Sequence, residues 1–140
     1  MKRTLLAATA ITAALAASPV LADHLNIAEA GIAVDGDKVT VPSVLIDKPG
    51  FIVIHEVLDG APVVPASIGH AYLEAGTTEN VEVTTDYPLK DGADYIAMLH
   101  YDTDEDGVYS FGEGMTDVDT PALTPEDAPY VKGFVAGGSM

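Results

Sequence analysis

Residues 102 to 113, Asp-Thr-Asp-Glu-Asp-Gly-Val-Tyr-Ser-Phe-Gly-Glu, carry the strongest chemical signal in the chain. They fit the spacing D-x-[DN]-x-[DN]-G-x5-E of a calcium loop. Calcium is a hard cation that takes six to eight oxygen ligands at about 2.3–2.6 Å. In that pattern Asp102, Asp104 and Asp106 supply carboxylates and Gly107 makes the sharp turn. Val108 offers its backbone carbonyl, Ser110 binds directly or through water, and Glu113 closes the site with both oxygens. The competing reading is a solvated acidic turn whose Asp residues cap their own backbone. Three Asp within five residues repel one another, which favours a bound cation.

Imidazole and thioether donors form a second candidate set. His55 and His100 each fall near the end of an apolar run, and Met98 shares a strand face with His100. Imidazole suits zinc and copper, and thioether selects Cu(I). A periplasmic copper or zinc site using His55, His100 and Met98, with His70 nearby, is therefore an alternative to calcium. The spacing lends it no support: there is no H-x-H, no H-E-x-x-H and no Cys. The competing reading is that both histidines hydrogen-bond within the fold. His24 falls second after the expected cleavage point, a weak position for an amino-terminal copper site.

Catalysis is not expected. No G-x-S-x-G element occurs, and no Gly-rich phosphate loop. Ser67-Ile68-Gly69-His70 puts a hydroxyl near an imidazole, but nothing orients the pair as a triad.

The N-terminus reads as a secretory signal peptide over residues 1–22. Lys2 and Arg3 precede an apolar run, and Val20 and Ala22 make the small-residue cleavage signature. The run falls short of the ~20 residues a spanning helix needs. Residues 23–140 are then expected to form a single domain, periplasmic or secreted, with no membrane insertion. After cleavage Lys38, Lys48, Lys90 and Lys132 face all 22 acids, with no Arg. Nucleic acid is not an expected partner, because gripping phosphates requires Lys and Arg. Expected partners are a metal ion and an envelope protein.

The elements that must position these groups read as strands, with turn signals recurring every 8 to 12 residues. The expected order is 28–33, then 38–46 with Val39, Val41 and Leu45 facing inward. A both-face-apolar strand follows over 51–57, hence central. The Asp59-Gly60 hairpin leads to an edge or irregular segment over 61–68. Then come 70–74, 80–87 and 93–101. The last of these carries Tyr95, Ala97, Leu99 and Tyr101 on one face and Ile96, Met98 and His100 on the other. It runs straight into the acidic loop. Pro129 to Val135 reads as a final strand. A strand before the loop argues against an EF-hand, which needs flanking helices.

A set of motifs in fixed order adds to this reading. Val39-Thr40-Val41-Pro42-Ser43-Val44 is followed by Gly50-Phe51-Ile52-Val53-Ile54-His55. Next come Tyr72-Leu73-Glu74-Ala75-Gly76 with Asn80-Val81, then Ala97-Met98-Leu99-His100. Asp102-Thr103 leads on to Gly107, Tyr109 and Phe111. In these motifs, over roughly residues 26 to 113, the chain resembles a secreted β-sandwich domain of unknown function. That domain is common in haloarchaeal surface proteins and also found in bacterial exported proteins. The resemblance implies a β-sandwich module with no assigned activity. It also implies a loop that often carries Asn where this chain has Asp104 and Asp106, so the acidic version here strengthens the calcium reading. The expected fold class is all-β, a single immunoglobulin-like antiparallel β-sandwich after a cleaved signal peptide. The expected role is a non-catalytic, calcium-stabilised binding or envelope-structural module.

Overall fold

Alternating valines and isoleucines drive the chain into two antiparallel sheets that share one apolar interior. The computed structural model describes residues 24–28 and 30–136; the expected signal peptide lies outside the described residues. Nine strands occur among them: β1 (Leu25–Ile27), β2 (Ala33–Asp35), β3 (Lys38–Ile46), β4 (Gly50–Leu58), β5 (Ala61–Pro62), β6 (Gly69–Leu73), β7 (Gly76–Thr84), β8 (Asp94–Tyr101) and β9 (Val131–Val135). In the first sheet β3 is central, with β1 and β2 on one side and β7 on the other. In the second, β4 lies between β8 and the β5 and β6 segments, and β9 extends the sheet beyond β8. All pairings are antiparallel, and the architecture is the expected all-β sandwich.

The interior between the sheets contains Val39, Val41, Val44, Ile46, Val81 and Val83 from the first sheet. Ile52, Ile54, Leu73, Tyr95, Ala97 and Leu99 come from the second. Each fully buried Val, Leu or Ile contributes roughly 1.5–3 kcal/mol by leaving water. Leu45 is half-buried rather than inward, contrary to the alternation expected from the sequence, and Val44 and Ile46 are inward instead. The change of parity falls at Pro42, which has no N–H for the ladder. The β3–β7 pairing skips Pro42 and Asn80, and Asn80 has φ 54°.

Two other expectations are corrected. The strand expected over 28–33 is replaced by two short strands on either side, with Gly31 at φ 92° in the intervening turn. The strand expected to begin at Asn80 begins at Gly76, because Gly76–Glu79 complete the ladder along β3 up to Ile46.

The second sheet is covered on both faces. Its inner face meets the sandwich core. Its outer face carries Phe51, Val53 and His55 on β4 and Ile96, Met98 and His100 on β8, all buried. The covering comes from loops. The 63–66 segment lies over His55, and Tyr109 and Phe111 from the acidic loop lie over Phe51 and His100. Gly50 allows β4 and β8 to approach where the loop begins. A Cβ there would overlap the His100 carbonyl oxygen and lie 3.0 Å from the Tyr101 Cα.

Candidate metal centre

The acidic loop leaves β8 at Asp102 and is folded by its own carboxylates. Asp102 Oδ2 accepts the Gly107 N–H at 2.9 Å, and Asp106 Oδ1 accepts the Val108 N–H at 2.9 Å. Gly107 has φ 73°, the left-handed conformation that glycine adopts without strain. Glu105 also has positive φ, at 57°.

The residue that closes this loop in space is Asp119. Its Oδ1 accepts the Thr103 N–H at 3.0 Å and its Oδ2 accepts the Ser110 N–H at 2.8 Å. Its own N–H donates to Thr103 Oγ1 at 2.7 Å. Asp119 is fully buried. It is delivered by the return of the chain along β8, where Tyr101 N–H donates to Thr120 O and Ala122 N–H donates to Leu99 O. One ligand-capable oxygen from each of Asp102, Asp104, Asp106 and Asp119 lies within 4.8 Å of the others. Asp102 is only 8% exposed, yet its Oδ1 finds no hydrogen-bond partner among the described residues. A buried carboxylate oxygen without a partner is costly unless a cation compensates it.

The charge crowding has a local consequence. The Asp104 carboxyl is pushed up to about 6 by lost hydration, by hydrogen bonding to the Asp106 carboxyl, and by the Asp119 and Asp106 charges. Like charges sharing a site disfavour ionisation, and a divalent cation reverses that preference.

The sequence-derived ligand set is therefore brought together only in part. Asp102, Asp104 and Asp106 converge. Val108 is exposed and its carbonyl accepts the Ser110 hydroxyl at 3.4 Å, while the Ser110 N–H is held by Asp119. Glu113 stands apart, exposed within the tight turn between Gly112 and Met115. In an EF-hand the loop is flanked by helices; here no helix follows among the described residues, Glu113 turns outward, and Asp119 joins the three loop carboxylates instead. Nothing in the local spacing marks Asp119. Its only sequence signal is a further Asp before Thr120-Pro121 in an acidic stretch.

The histidines occupy the outer face of the second sheet. His55 Nδ1–H donates to Ala66 O at 2.8 Å and Val63 O at 3.0 Å, and His100 Nδ1–H donates to Asp119 O at 2.6 Å. Carbonyl oxygens only accept, so each Nδ1 carries a proton, and in the neutral imidazole Nε2 then presents a lone pair. Both rings are fully buried, and neither Nε2 has a hydrogen-bond partner among the described residues. Their centroids are 6.3 Å apart with planes 25° from parallel. Burial lowers the His100 imidazole to about 4; the Asp119 hydrogen bond opposes this and His55 adds to it. Met98 pairs with Val53, on the rung between Phe51–His100 and His55–Ile96. His70 is exposed on β6 and packs against Tyr109 at 4.9 Å; burial of part of its ring lowers its pKa and Asp86 opposes that shift. Tyr109's hydroxyl is buried beside Ser67 without forming a hydrogen bond of normal geometry. His24 Nε2–H donates to Leu123 O at 3.1 Å.

These features define an acidic antiparallel β-sandwich with a group of four carboxylates at the end of β8. The chain belongs to the family described as Domain of unknown function (DUF7282), whose profile matches residues 26–136. It is similar to Cell surface glycoprotein 2 of Haloarcula hispanica, 35% identical over 106 residues, covering 66% of this chain and 11% of that protein. It is also similar to Cell surface glycoprotein 1 of the same organism, 38% identical over 77 residues, covering 55% of this chain and 8% of that protein. The chain thus spans about a tenth of the length of these relatives. No solved structure matches it. No helix among the described residues is long and apolar enough to cross a membrane.

Proposed function

We propose that this chain is an exported, non-catalytic surface module whose acidic loop is locked by one calcium ion held between Asp102, Asp104, Asp106 and Asp119. The observation that carries this reading is the buried, unpartnered Oδ1 of Asp102 within a group of four carboxylate-bearing side chains. All-oxygen, anionic donors suit a hard divalent cation. Ion binding would offset the mutual repulsion that raises Asp104 and would join the end of β8 to the returning 116–122 segment. The relatives are named as cell surface glycoproteins, which supports a surface or secreted location and a structural or binding role in the envelope.

The test is calorimetric titration of calcium into chelator-stripped protein at fixed ionic strength. One saturable site, with a melting temperature raised beyond what sodium chloride gives at equal ionic strength, is the expected result. Equal stabilisation by both salts reduces the loop to a screened acidic turn and rejects the reading.

A further inference from the structure

We propose that His55, His100 and Met98 form a second, buried site that binds a single monovalent copper ion. This inference is independent of the calcium reading, since it uses none of the four aspartate side chains.

The argument begins with two orphaned lone pairs. A buried polar atom without a partner is costly, and among the described residues two such atoms, His55 Nε2 and His100 Nε2, lie on neighbouring rings. Both rings are held from behind in the same way, by Nδ1–H donation to backbone carbonyls. That arrangement fixes the tautomer and orients a metal-ligating imidazole. The spacing also agrees. A nitrogen bonded to a metal at about 2.0 Å puts the ring centroid roughly 3 Å from the ion, so two rings that approach one ion from nearly opposite sides, with the thioether as a longer third contact, have centroids about 6 Å apart. The observed separation is 6.3 Å.

The surroundings select the ion. Phe51, Val53, Ile96 and Phe111 make this face apolar, and it is closed to solvent by the 63–66 and 109–111 segments. The donors offered are two neutral imidazoles and the Met98 thioether, whose strand position lies between the two histidine rungs. Successive strand residues alternate faces, so Met98 leaves the sheet on the same side as His55 and His100. Among the described residues, the ring hydrogen bonds of His55 and His100 go to backbone carbonyls and not to carboxylates. Burying a doubly charged ion among neutral donors costs far more than burying a singly charged one, because desolvation rises steeply with charge. Soft thioether and imidazole donors at low coordination number point to Cu(I) rather than zinc or calcium.

The experiment is anaerobic competition between the metal-free protein and a chromophoric Cu(I) chelator, with X-ray absorption of the loaded sample. The wild type is expected to retain one equivalent, with two nitrogen neighbours and one sulfur. His55→Asn and His100→Asn keep a donor near the Nδ1 position but remove the Nε2 lone pair, and are expected to lose the bound copper. Met98→Leu nearly conserves volume, is expected to fold, and should weaken retention at least tenfold and remove the sulfur signal. Asp104→Asn should retain copper in full. The proposal is overturned if the wild type retains no Cu(I), or if it retains zinc in preference. It is also overturned if Met98→Leu binds copper unchanged with no sulfur in either sample, or if Asp104→Asn abolishes the copper.

Discussion

The sharpest perturbation is a pair of conservative substitutions, Asp119→Asn and Glu113→Gln. Loop spacing points to Glu113 as the closing ligand of the proposed calcium site, whereas the fold groups Asp119 with Asp102, Asp104 and Asp106. Asp119 also accepts two backbone N–H groups through its carboxylate, at 3.0 and 2.8 Å. Hydrogen bonds to charged groups contribute about 1.5–3 kcal/mol each. Asparagine keeps one acceptor and turns an NH2 toward the other donor, so the variant should lose roughly 2–3 kcal/mol without calcium, less whatever relief of repulsion returns. Calcium at a hundredfold excess over its dissociation constant stabilises a single-site protein by about 2.7 kcal/mol, roughly a 10 °C rise in melting temperature for a domain of this size. Asp119→Asn should lose that rise, putting it roughly 5 kcal/mol below the parent in calcium. Glu113→Gln is exposed and should keep the full rise. Urea denaturation with calcium and with chelator, at matched ionic strength, reads both quantities. If Glu113→Gln removes the calcium increment and Asp119→Asn keeps it, the spatial assignment is wrong.

Four further outcomes are expected. Asp104→Asn should raise the melting temperature of chelator-treated protein by removing a crowded charge, yet abolish the calcium response. In the parent, calcium affinity should fall as pH drops through about 6, where Asp104 takes up its proton, as titration calorimetry at several pH values would show. His100 takes a proton near 6.5 when unfolded but only at about 4 when folded, so the unfolded state binds more protons between those values. Its contribution is complete above 6.5 and is lost as pH falls toward 4, a change of roughly 3 kcal/mol. Urea melts of His100→Asn, which cannot titrate, should show a correspondingly flatter pH dependence than the parent. Gly50→Ala should destabilise by more than about 3 kcal/mol, because its Cβ would overlap the His100 carbonyl where β4 and β8 meet; an unchanged melting curve would contradict that close approach.

Much of the fold is legible in one dimension because strand signals are local. Alternating Val81 and Val83, the doubly apolar Phe51–Ile54 run and the Asp59-Gly60 turn each express a period or a turn preference within a few residues. The errors arise where partners override local pattern. Pro42 shifts the inward parity to Val44 and Ile46, and the ladder with β3 extends β7 back to Gly76. The same division runs through the candidate site. Asp102, Asp104, Asp106 and Gly107 announce a cation loop by spacing alone, because adjacent residues must face one point. By contrast, the pairing of His55 with His100 was only suggested by strand endings, and the register of β4 against β8, with the two loops above it, decides it. Asp119 carries no such local signal. It reaches Thr103 and Ser110 because residues 120–122 hydrogen-bond back along β8, and such a long-range contact leaves no periodic trace in the chain.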